Sequence, residues 1–214
     1  ETAVGASEAN YIIANTLLQK GDEIAVMQPT YMQFSGAAKN LGVKVNSFSL
    51  EAGNNWALDR QELNDAVNPN TKVVSLVNPN NPTGKILSKE EMNAVVSIAQ
   101  KFDAWLLADE VYSGAERHKV DATQSFFGLY EKVIIVNGLS KAYGLPGLRI
   151  GWVVAPENII TELWKRHEYT TVSSSMLGNR LANLALRPDV KRALIARTRD
   201  SVSYTHLRAH ETPA

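Results

Sequence analysis

Short runs of branched apolar residues alternate along this chain with longer stretches whose apolar positions recur every three or four residues, and proline, glycine and asparagine separate them. The first such stretch predicts a helix over residues 5–20, with Ile12, Ile13, Leu17 and Leu18 as its stripe and Gly21 as its stop. Strands are expected over 23–27, 43–50, 73–77, 105–108 and 133–136, where apolar or alternating runs end in turn residues. Helices are expected over 32–41, 59–67, 88–102, 156–167, 181–186 and 190–199, with a polar connector at 170–175. Asp59 with Glu62, and Ser88 with Glu91, have capping-box spacing. Residues 149–154 read as one more strand, antiparallel to its predecessor because Pro146-Gly147 leaves no room for a crossover helix. The repeated strand–helix order implies an α/β fold, a mostly parallel sheet sandwiched by helices.

Composition narrows the partners. The 22 Lys and Arg balance the 22 Asp and Glu, so no net field points to nucleic acid or an anionic membrane, and a small molecule is the expected ligand. No apolar run is long enough to cross a membrane. With no cysteine, disulfides and thiolate metal sites are excluded, which suits a reducing cytoplasm. The 214 residues are enough for one sizeable domain and part of a second. Residues 1–5 run directly into a strand-to-helix turn, as though an earlier strand were cut away, and residues 201–212 resemble a translated sequencing adapter. His206, His210 and Glu211 stand at helical spacing but fall in that tail, so they are not counted as a metal site.

Candidate chemistry sits where strands end. Lys141 follows the 133–136 strand among small and apolar neighbours, and a lysine desolvated there offers a neutral amine that can form a Schiff base with a carbonyl. The small residues Gly5-Ala6-Ser7 open a helix whose free N–H groups favour a phosphate, although Ser7 also reads as an ordinary N-cap. Asp109 as a helix or turn cap, Tyr112 as a rim residue, Arg149 as a surface ion pair and Asn81 as a turn former remain alternatives. His118 and His167 match no motif and read as surface or packing residues, and Trp56, Trp105, Trp152 and Trp164 read as core or interface.

In order, the chain carries Asn78-Pro79-Asn80-Asn81-Pro82-Thr83-Gly84, then Asp109-Glu110-Val111-Tyr112, then Ser140-Lys141, then Arg149 eight residues on. This ordered set resembles the fold-type I pyridoxal-phosphate enzymes, specifically the class I/II aminotransferases of the aspartate aminotransferase superfamily, over residues 1–200. The resemblance implies that Lys141 is the Schiff-base lysine and moves a proton between the substrate's α-carbon and the cofactor's C4′. It implies that Asp109 keeps the pyridine nitrogen protonated, that Asn81 and Tyr112 hydrogen-bond the phenolic oxygen, and that Tyr31 stacks on the ring. Ala6, Ser7, Ser140 and Arg149 would clamp the phosphate, Arg149 as a bidentate partner.

The implied activity is transfer of an amino group between an amino acid and a 2-oxo acid by a homodimeric cytoplasmic parent protein. Residues 1–168 would form the cofactor-binding large domain without its N-terminal part, residues 169–200 its end and the start of an interdomain helix, and 201–214 a non-native tail. This piece is then expected to be inactive alone, since the family's substrate-carboxylate arginine belongs to a small domain beyond it. Gly138, three residues before the lysine, stands where many relatives place a phosphate-binding hydroxyl, and predicts a weaker clamp or a compensating backbone amide. A carbon–sulfur lyase or decarboxylase of the same fold, and the ligand sensor of a transcriptional regulator, are the other functions this resemblance allows.

Overall fold

The computed structural model describes residues 1–116 and 122–211, with residues 202–211 by their backbone only; His118 and the side chains of His206 and His210 lie outside it. The elements are β1 (Thr2–Ala3), α1 (Ala6–Leu17), β2 (Glu23–Gln28), α2 (Gln33–Asn40), β3 (Lys44–Glu51), β4 (Ala57–Leu58), α3 (Arg60–Ala66), β5 (Thr71–Val77), α4 (Lys89–Lys101), β6 (Trp105–Asp109), β7 (Val133–Gly138), β8 (Gly151–Val154), α5 (Glu157–His167), α6 (Met176–Ala185) and α7 (Pro188–Glu211). The strands form one eight-stranded sheet in the order β1-β8-β7-β6-β5-β2-β3-β4. From β3 through β2, β5 and β6 to β7 the neighbours are parallel. β8 runs antiparallel to β7, in register Ile135↔Val154 through Gly138↔Gly151, as the missing crossover requires.

The pleat explains why strands that read as continuous apolar runs are needed. Leu106, Ala108, Val133 and Ile135 enter a core on one face with Leu63 of α3 and Met92, Val95 and Ala99 of α4. Leu107, Ile134 and Val136 enter the other core with Ile12 and Ile13 of α1, Phe34 of α2 and Leu163 of α5. Both faces are therefore dry, as in a helix-covered parallel sheet. A third, smaller cluster of Leu139, Ala142, Tyr143, Ile150, Ala182 and Ala185 packs α6 beneath the lysine loop.

Helix starts follow their caps. Ser88 and Glu91 satisfy each other's backbone, a full capping box, of the kind whose loss costs about 1 kcal/mol. At Asp59 only half forms: its carboxylate accepts from Gln61 and Glu62 N–H, while its own N–H donates to the Ser49 carbonyl. α6 begins at Met176, earlier than expected, because the Ser175 hydroxyl accepts from Gly178 N–H and caps it there. The backbone of α7 continues as helix through residues 201–211, the segment read above as a tail. Within α7, Arg199 donates to the Gly114 carbonyl at 2.7 Å and to Glu116 Oε2 at 2.9 Å, and Arg197 donates to the carbonyls of Tyr143 and Gly144. The loops after β6 and β7 are thus tied to the same helix.

Candidate active site

The chain leaves β2 for β3 on one side and returns to β5 on the other, so the sheet has its topological switch point between β2 and β5. Ligands of open α/β sheets bind at the carboxyl ends of strands beside such a point. A cleft of about 230 Å³ opens there, lined by the loops after β2, β5, β6 and β7 and by the first turn of α1. Every predicted site residue lines it: Ala6 and Ser7 from α1, Tyr31 after β2, Asn81 after β5, Asp109 and Tyr112 at β6, Ser140 and Lys141 after β7, and Arg149 before β8.

Asp109, the last residue of β6, is 8% exposed. Its Oδ2 accepts from Asn10 Nδ2 at 3.0 Å, and its Oδ1 accepts from Val111 N–H at 3.2 Å. Burial pushes its carboxyl above the ordinary range, and the Asn10 amide, the Val111 N–H and the Lys141 cation pull it back. A carboxylate so placed gains most from a cation brought against it. The neighbouring Glu110 turns away, accepting from Ser125 Oγ at 3.0 Å and Phe126 N–H at 2.8 Å, so of the two acids only Asp109 serves the cleft.

Lys141 Nζ stands 5.8 Å from the centre of the Tyr112 ring. Its side chain is exposed to the cleft, so the expectation that its neighbours desolvate it is corrected: the apolar residues Leu139, Ala142 and Tyr143 turn under the loop into the third core cluster instead. The amine thus faces outward over a packed base.

The end of the cleft beside α1 is built from backbone. The N-cap of α1 is Gly5, which has no side-chain oxygen to occupy the first amides, so Ser7 is not the cap but lies within the first turn. Arg149 reaches over this turn with Nη2 3.4 Å from the Val4 carbonyl and Nη1 3.2 Å from that of Pro146. Two glycines permit the approach. A Cβ on Gly151 would come within 2.5 Å of Ala6 N, and one on Gly138 within 3.1 Å of the Ile150 carbonyl, with Ala6 N at 3.8 Å. An amide of α1 therefore stands near Gly138, as the expected compensating backbone amide would.

Three residues escaped the sequence reading. Gln33 lines the cleft and donates from Nε2 to the Ser7 carbonyl at 2.7 Å. Asn80 binds across loops, and Asn10 binds Asp109. A signal existed for Asn10, a polar residue that helical periodicity puts beside Ala9 and Ile13 on the buried stripe. His167 is buried at 2% exposure and bonded through Nδ1 to Glu1 Oε1 and through Nε2 to Thr171 Oγ1, both at 3.0 Å. Of the tryptophans, Trp56, Trp105 and Trp152 pack against the cores and Trp164 is exposed; none lines the cleft.

Comparison with known proteins gives the same class. The family model for aminotransferase class I and II matches residues 2–205, and the chain belongs to that family. It is 32% identical over 169 residues to an aspartate aminotransferase of Musicola paradisiaca, covering 77% of this chain and 42% of that protein. It is also 32% identical to capreomycidine synthase of Streptomyces vinaceus, over 86% of this chain and 47% of the relative. Among solved structures, a PLP-dependent aminotransferase from Streptococcus suis superposes with a TM-score of 0.87 at 31% identity, over 99% of this chain and 56% of that one. The chain spans about half the length of the relatives it matches.

Proposed function

We propose that this chain is the cofactor-binding half of a pyridoxal-phosphate enzyme that transfers an amino group between an amino acid and a 2-oxo acid. The observation that carries this is the convergence of an amine, a buried carboxylate, a phenol, an amide and an arginine at one helix N-terminus on a single cleft. These donors fit the cofactor's chemistry: a carboxylate for a ring nitrogen, Asn81 and Tyr112 for a phenolic oxygen, and α1 amides with Ser7, Ser140 and Arg149 for a phosphate. Bound pyridoxal phosphate supplies an electron sink that stabilises negative charge at the substrate's α-carbon.

The chain's own residues do the rest. Lys141 Nζ would hold the cofactor through its carbonyl carbon and would be the base for the proton on the substrate's α-carbon. Asp109 would keep the ring nitrogen charged, Tyr31 would cover the ring, and Arg149 with the helix dipole would fix the phosphate so that the reacting atoms stay in place. The net reaction would exchange the amino group of one amino acid for the oxo group of a 2-oxo acid. A homodimeric, cytoplasmic parent is part of this proposal, the second from the absence of cysteine; among the described residues no helix is long and apolar enough to cross a membrane.

Titration with pyridoxal phosphate and with unphosphorylated pyridoxal tests the cofactor assignment. Tight binding of the first, weakened about tenfold by Arg149→Lys, is expected; equal affinity for both would overturn the clamp. For the reaction, the protein expressed from its complete reading frame is given an amino acid and 2-oxoglutarate. Glutamate is the expected product; ammonia and pyruvate without glutamate would make it a lyase.

A further inference from the structure

Asn10 lies in an apolar stripe of α1 at 4% exposure, where a side-chain amide is costly unless it is paired. Its Nδ2 is paired, at 3.0 Å, with Asp109 Oδ2. Its Oδ1 has no protein partner, and neither has the buried Thr30 Oγ1. Both residues border, with Ser75 and Asp109, a cavity of about 10 Å³, room for one water molecule. A water there would donate to Asn10 Oδ1 and accept from Thr30. The amide can face only one way, because reversed it would set Oδ1 against the carboxylate, acceptor against acceptor. Other charges near Asp109 come from Lys141 on the loop after β7 and from Glu110, the next residue in the chain.

We propose that Asn10 is the positioning residue of this site, and that with a water shared with Thr30 it holds the Asp109 carboxylate ionised and turned toward the cleft. This rests on the role given to Asp109 above. An asparagine suits the task because it donates without titrating and brings no charge of its own, so the carboxylate stays free to answer to the ring nitrogen. Thr30, in the loop that leads from β2 to Tyr31, then gains a function as the outer member of the chain Thr30–water–Asn10–Asp109.

The test uses this chain labelled with ¹³C at aspartate carboxyls, the Asp109 signal being assigned through Asp109→Asn. In the cofactor-free protein, Asn10→Leu should move the Asp109 titration to higher pH, and Asn10→Ser, which keeps a donor, should move it less. The same variants should weaken pyridoxal phosphate binding, about tenfold for Asn10→Leu, and Asn10→Leu should add almost nothing in an Asp109→Asn background. An unchanged Asp109 titration in Asn10→Leu would overturn the proposal. A moved titration with unchanged cofactor affinity would leave the pairing standing and overturn the role assigned to Asp109, and with it the functional half of the proposal. Should Asn10→Leu fail to fold, Asn10→Ala against Asn10→Ser makes the same comparison.

Discussion

Asn80 Nδ2 donates to the Pro29 carbonyl at 3.0 Å and to Thr83 Oγ1 at 2.9 Å, and this pairing fastens the loop after β5 to the loop after β2. Asn81 and Tyr31, which flank the tie, therefore keep fixed positions relative to each other across the switch point. Asn80→Ala should weaken pyridoxal phosphate binding about tenfold and lower stability by about 1–3 kcal/mol, because a buried pairing is lost. A cofactor titration and a urea melt measure the two effects separately, and unchanged affinity would show that the loops hold themselves.

Gly138 is best left as glycine here, although the family resemblance leads one to expect a hydroxyl at this position. A Cβ would meet the Ile150 carbonyl at 3.1 Å and Gly151 Cα at 3.2 Å, both backbone atoms. Gly138→Ser should therefore cost about 1–3 kcal/mol of stability from overpacking and should not tighten phosphate binding. Thermal melts with and without cofactor decide it; a variant that melts as the native chain does and binds more tightly would contradict the backbone fit.

Asp109 illustrates a site that opposes folding. Its carboxyl is raised above 3.8 by burial, so its contribution to stability is fully present below that pH and is lost as pH rises through the higher folded value. Asp109→Asn should accordingly melt at a higher temperature than the native cofactor-free chain at neutral pH, and the difference should vanish toward pH 3. The same variant, in the complete enzyme, should slow removal of the substrate's α-proton severely while cofactor stays bound. Unchanged turnover would refute the role of Asp109.

Glu23 works in the opposite sense. Hydrogen bonds from Asn68, Asn46 and Lys44 hold its carboxyl down to about 2, from an ordinary 4.5. Its contribution is present above pH 4.5 and disappears as pH falls toward 2. Denaturant melts from pH 6 to pH 2.5 should show a steeper loss for the native chain than for Glu23→Gln; parallel curves would remove Glu23 from the acid response.

The sequence was readable wherever local chemistry decides structure. Short apolar runs marked every central strand, Ser88 and Glu91 marked a helix start, and the ordered asparagine, aspartate, lysine and arginine motifs named residues that meet on one cleft. Long-range pairing was not readable. Strands β1 and β4 have two residues each and carry no alternation; they exist because Thr2–Ala3 meets β8 and Ala57–Leu58 meets β3. Asn10 carries no motif, and its meaning appears only when α1 is laid against β6. The exposure of Lys141 was misjudged for a related reason: its apolar neighbours in the chain pack beneath the loop, and chain proximity does not say which way they turn.

The most direct measurement concerns Lys141 itself. The chain is incubated with pyridoxal phosphate, treated with borohydride to make any amine linkage permanent, and mapped by peptide mass spectrometry. A single modified lysine, Lys141, with the visible cofactor absorbance abolished in Lys141→Ala, is the predicted result. Label spread over surface lysines, or absorbance that survives Lys141→Ala, would contradict the assignment of this cleft.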